Sequence, residues 1–140
     1  MEKQSRMNLE GWKAYLEQCW DAVPKVFRSE KSLRRTLQCA LYAKLSADGL
    51  LVVADYLPPR ADRPVDLIVL NGTPPVVACA VCFDDVVTLY AVKSLSSFEA
   101  GEKVIFTTGP IKKKVEESRF FLKPGIQHVH LEWGNPDSKR

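Results

Sequence analysis

The run Val76-Val77-Ala78-Cys79-Ala80-Val81-Cys82-Phe83 carries no charged or hydroxyl side chain on either face. A strand alternates its side chains between two faces, so a segment apolar on both must be covered on both. This restricts the fold more than any other segment does: it predicts a central strand in a sheet with helices above and below. A chain of 140 residues, 46% hydrophobic and 26% charged, can build one such core and leaves no room for a second. We therefore expect a single domain over residues 1–133 and a flexible tail over residues 134–140.

The flanking patterns supply the layers. Asn8 can cap a helix in which Leu9, Trp12, Leu16, Cys19, Trp20 and Val23 recur at three- and four-residue steps until Pro24 stops it. A second helix starts at Ser29 and presents Leu33, Leu37, Ala40, Leu41 and Leu45 on one face, ending at Asp48 and Gly49. Its polar face holds Lys31, Arg34, Arg35 and Gln38. The β-rich run 50–57, closed by a loop with three prolines, precedes a strand over 65–70 and a turn at Asn71 and Gly72. With the central strand these make an antiparallel meander. Asp84 and Asp85 can cap a helix from about Val86 to Ser97, and a strand over 103–109 follows. Pro110 introduces a helix over 111–123 that Pro124 and Gly125 end, and the last strand runs over 126–133. The order α-α-β-β-β-α-β-α-β predicts an α/β fold with a mixed β-sheet flanked by helices.

Composition excludes several classes. No apolar stretch approaches the ~18 residues of a membrane span, so no membrane partner is expected. The start, MEKQSRMNLE, is polar where a signal peptide is apolar, and the expected location is cytoplasmic. Cys19, Cys39, Cys79 and Cys82 sit in apolar segments and read as reduced thiols; the CxxC of Cys79 and Cys82 lies inside a strand, not at a helix start, and reads as core. A formal net charge of +3 permits an acidic partner without requiring one.

From the second helix onward, over roughly residues 29 to 131, the chain resembles the PD-(D/E)xK nuclease superfamily, the restriction-endonuclease-like fold. The segment Arg63-Pro64-Val65-Asp66-Leu67-Ile68-Val69-Leu70 is similar to that family's Pro and Asp motif, with one residue inserted. The resemblance implies an αβββαβ core with an extra N-terminal helix, and Asp66 as a metal ligand. Glu30, in the first turn of the preceding helix, resembles the additional acid of several branches. On the third strand Ala80 stands where the family has a carboxylate and Cys82 where it has the Lys. Phosphodiester hydrolysis by that route needs carboxylates around Mg²⁺ and a nearby cation, and neither a methyl group nor a neutral thiol supplies them. Asp84, which shares a face with Ala80 by the period of two, and Lys93 on the next helix could replace the missing groups. Glu30, Asp66, Asp84 and Lys93 are thus the candidate catalytic set.

Lys31, Arg34 and Arg35 on the second helix, and Lys112, Lys113 and Lys114 at the start of the last, are candidate nucleic-acid contacts. The lysine run opposes its own helix dipole, which leaves a solvated charge run or phosphate contact as the reason for it. His128 and His130 read as a solvent-facing pair on an edge strand, without a catalytic role. Trp12, Tyr15 and Trp20 offer a surface for a homodimer. Three functions remain open: a catalytically inactive nuclease-like protein that binds DNA or serves a structural role and needs no cofactor, a Mg²⁺-dependent endonuclease with a rearranged site, and a protein–protein interaction module.

Overall fold

The computed structural model describes residues 8–132; the expected tail at 134–140 lies outside them. Two helices open the chain, α1 (Leu9–Asp21) and α2 (Glu30–Ala47), followed by β1 (Leu51–Tyr56), β2 (Val65–Asn71) and β3 (Val76–Asp84). After these come α3 (Leu89–Ser96), β4 (Glu102–Thr107), α4 (Lys112–Ser118) and β5 (Ile126–His130). The five strands lie in chain order across one sheet. β1, β2 and β3 pair antiparallel, whereas β3, β4 and β5 pair parallel. The fold is α/β with a mixed sheet, as the hydropathy pattern predicts. Among the described residues no helix is long and apolar enough to cross a membrane.

β3 sits at the centre, covered on both faces. Cys79, Val81 and Phe83 enter one core with α1 and α2, while Ala80 and Cys82 enter the other with α3. Cys79 and Cys82 are both buried as core thiols; Cys39 is exposed, and all four cysteines are free. Local signals act where expected at the helix starts: Asn8 accepts from the Gly11 amide, and Ser29 and Ser32 form a reciprocal capping box.

Three expectations are corrected. Trp12 and Trp20 are 3% and 4% exposed and pack with Leu16 into the core beneath α2, so α1 offers no aromatic homodimer surface. Tyr15 is partly buried against the same core and lies near the Lys44 ammonium. The apolar stripe of an amphipathic helix is the same whether its cover is intramolecular or a second chain, and here the sheet and α2 supply it. Next, α3 is capped by Thr88, whose hydroxyl accepts from the Ala91 amide, not by Asp84 or Asp85. β3 runs through Asp84, which removes that residue from the helix. Finally, Gln38 is 5% exposed although it shares a sequence neighbourhood with the basic face of α2.

The strand ends place the site. β3, β4 and β5 all finish at one end of the sheet, where the Thr108 and Gly109 amides donate to the Asp84 and Asp85 carbonyls at 3.0 and 2.7 Å. A Cβ on Gly109 would lie 2.6 Å from the Asp85 oxygen, so only glycine permits that approach. β5 is an edge strand, and just beyond it the Glu132 amide donates to Glu17 Oε2 of α1 at 2.6 Å.

Candidate functional site

Asp66 is the second residue of β2 and Asp84 the last of β3. Antiparallel pairing of these strands brings both carboxylates to the same end of the sheet. Between them stands Arg63, from the proline-rich loop before β2. Its Nη2 lies 3.3 Å from Asp66 Oδ2 and 3.2 Å from Asp84 Oδ2. The same nitrogen donates to the Phe83 carbonyl at 2.9 Å, and Nη1 donates to the Pro64 carbonyl at 2.6 Å and faces Cys82 Sγ at 3.2 Å. A planar guanidinium with five donors suits such a convergence of acceptors.

Each carboxylate is also held from elsewhere. The Phe83 amide donates to Asp66 Oδ2 at 2.6 Å, and the Thr88 hydroxyl donates to Asp84 Oδ2 at 3.1 Å while it caps α3. Behind the triad, Gln38 Nε2 donates to the Asp66 carbonyl at 2.9 Å and to Asp55 Oδ1 at 2.8 Å. Asp55 is a β1 residue at φ 56°, a left-handed conformation that Asp tolerates better than most, and Arg35 lies 3.4 Å from its other oxygen.

Burial raises the pKa of Asp66 and of Asp84 from its ordinary value, and Arg63 opposes the rise at both. Burial likewise works against the charge on Arg63, but the groups around it outweigh that effect and its pKa rises. Desolvation pushes the Cys82 thiol up to about 12, which leaves it neutral near pH 7. The two carboxylates are therefore the charges that hold the guanidinium.

Sequence reasoning placed Asp66 and Asp84 in one site, and they meet there. Glu30 and Lys93 do not join them. Both are exposed; Lys93 makes no hydrogen bond or ion pair with either carboxylate among the described residues, and Glu30 does not line the groove beside them. On α3 it is Ser94 that faces the triad, donating to the Arg63 carbonyl at 2.5 Å; Lys93 points outward from the next position. Arg63, Gln38, Asp55 and Thr88 were not selected from the sequence. Only Arg63 carries a local hint, standing three residues before Asp66 in the segment that led to it.

The residues present do not fit Mg²⁺. That ion takes six oxygens in near-octahedral geometry, whereas Asp66 and Asp84 already share a guanidinium and are flanked by Ala80 and Cys82. Among the described residues no group of three or more His, Cys, Asp or Glu side chains is placed to hold a metal ion.

A groove of about 440 Å³ opens beside the triad. Arg63 and Asp66 line its floor, and Lys31, Arg34 and Arg35 of α2 line its wall. Lys31 and Arg34 form no ion pair among the described residues, although the Arg34 charge favours ionised Asp84. The second basic run reaches the same end of the sheet from the opposite layer. α4 begins just after the Thr108–Gly109 approach to β3, and Lys112 Nζ lies 3.8 Å from Glu132 beyond the end of β5. Lys113 and Lys114 are exposed beside it.

The histidines differ from the solvent-facing pair expected. His128 Nε2 and His130 Nδ1 both meet the buried Thr107 hydroxyl, at 2.8 and 2.9 Å. One hydroxyl proton serves two neutral rings only if Thr107 donates to one and accepts from the other. Burial lowers the pKa of His128 to about 4, with Arg119 and His130 adding to the effect and Glu116 opposing it. In the unfolded chain that ring takes a proton near its ordinary 6.5. Between pH 6.5 and 4 the unfolded state therefore binds more protons, and His128 makes stability fall as pH falls. The raised pKa values of Asp66 and Asp84 act with the opposite sign, so the test is a difference. The urea midpoint of wild type relative to that of His128→Gln should fall steadily from pH 7 toward pH 4, and a difference independent of pH would refute the assignment.

Comparison with family models, with curated proteins and with solved structures finds no match to this chain.

Proposed function

We propose that this chain is a catalytically inert, nuclease-like scaffold that binds the phosphate backbone of nucleic acid at the carboxyl end of its parallel strands. One observation carries the reading: the guanidinium of Arg63 sits between two carboxylates, at the floor of a groove whose wall is cationic. In the PD-(D/E)xK family that the sequence resembles, that pair of strand ends carries the acids of hydrolysis. Here Arg63 takes up their charge, Ala80 and Cys82 supply none, and Lys93 faces away. Lys31 and Arg34 line the groove and form no ion pair among the described residues, which supports binding without cleavage.

The test is a pair of measurements on the full chain. Cleavage of duplex and single-stranded DNA with Mn²⁺ should not exceed that of Asp66→Ala. Affinity for the same DNA should fall steeply with salt, and Lys31→Ala with Arg34→Ala should weaken it and flatten the log–log slope by about 1 to 2. Cleavage above the Asp66→Ala background would instead support the Mg²⁺-dependent endonuclease. Absence of binding at low salt would favour the interaction module.

A further inference from the structure

We infer that the turn after α4 is a stacking platform for unpaired bases, so that the nucleic acid taken by this protein is single-stranded; this rests on the backbone-binding reading above. Phe120 is 87% exposed and Phe121 42%. Their rings meet edge to face, with centroids 5.7 Å apart. The chain on both sides is anchored. Ser118 is buried, accepting from the Val87 amide at 2.9 Å and donating to the Val115 carbonyl at 2.6 Å, and Leu122 packs against the α3 core. A single 3-10 turn, Arg119–Phe121, joins these anchors, and the two rings project from it while the residues that bracket them are fixed. A ring fixed this way can receive a base with little further ordering.

The charges around the rings select the occupant. Between Ile111 and Lys123 five cations stand against two acids, Glu116 and Glu117, an excess equal to the +3 of the whole chain. Arg119 and Lys123 bracket the rings directly and are exposed, as are Lys113 and Lys114 one to two turns earlier. A second copy seated on this patch through a two-fold axis would set these cations against their own images, which disfavours a homodimer here. A membrane surface wants a broad apolar helical face, and α4 is one short helix with a single pair of rings at its end. Exposed aromatics among cations match a polyanion whose bases are free to stack, and duplex bases are not free.

The experiment measures binding of a fluorescent oligo(dT) of about 20 nucleotides and of a duplex of equal length, at low salt, to wild type and to Phe120→Ala, Phe120→Leu and Phe120→Trp. Substitution at so exposed a position leaves the core untouched. The inference expects oligo(dT) to bind more tightly than duplex, Phe120→Ala to weaken oligo(dT) by about fivefold or more, Phe120→Leu not to restore it, and Phe120→Trp to restore it. Unchanged oligo(dT) affinity in Phe120→Ala, with salt-dependent binding intact, would overturn the platform and leave the backbone reading standing. Equal losses for oligo(dT) and duplex, or rescue by Leu, would also overturn it. No binding of either DNA would remove both. Phe120-dependent sedimentation with phosphatidylserine vesicles, without oligo(dT) binding, would replace it with a membrane contact.

Discussion

Arg63→Ala should destabilise the protein by about 3 kcal/mol, because it leaves Asp66 and Asp84 as two half-buried carboxylates without their shared cation. For a domain of this size that lowers the melting temperature by roughly 10 °C or more. Arg63→Lys should recover only part of the loss, since one ammonium cannot reach the Pro64 and Phe83 carbonyls and both acids at once. Asp66→Asn combined with Asp84→Asn should make the Arg63→Ala cost smaller, and the mutant cycle measures that coupling. Urea denaturation gives each value. A cost for Arg63→Ala within about 0.5 kcal/mol of zero, the range of an ordinary surface change, would mean that the triad holds nothing together.

Trp12→Ala should cost about 3–5 kcal/mol, the range for removing a large aromatic from a packed core. Trp12 shares its cluster with Leu16, Trp20 and Leu37, so the cavity would lie between α1 and α2. Because the ring is buried within one chain, the difference in melting temperature between this variant and wild type should not depend on protein concentration. If instead α1 carried a homodimer, the loss would vary with concentration, and the measured mass would change on substitution. Melting curves over a hundredfold dilution decide between them.

The histidines and the triad respond to acid in opposite directions for one reason. Burial disfavours the charged form of each, and the charged form of histidine is the protonated one. Acid unfolding of the whole protein therefore sums opposing contributions, and only the variant-by-variant difference isolates either of them.

The elements were legible because each rests on local pattern. The apolar run of β3 demanded cover on both faces, and α2 on one side and α3 on the other provide it. Capping residues marked the starts of α1 and α2, which lie next to the side chains they bond. The cap of α3 was misplaced because Asp84 and Thr88 are both good caps, and the choice between them depends on how far β3 stays paired with β4. The site was half legible. The period of two put Asp84 on the correct face, but Glu30 and Lys93 rested on the family resemblance and not on helix phase, and a helix turns each residue about 100° from the last. Lys93 therefore points away although its neighbour Ser94 reaches the Arg63 loop.

By itself the sequence determined the layer order, the central strand and the absence of any charged side chain from its core positions at Ala80 and Cys82, since these follow from residue type and short-range periodicity. Tertiary structure alone decided that Arg63 lies between Asp66 and Asp84, that Gln38 is buried beneath them, and that the two basic runs reach one end of the sheet. Those relations join residues up to 83 positions apart, from Lys31 to Lys114. The low-dielectric surroundings that give them their energy exist only once the strands are paired and the helices have covered them.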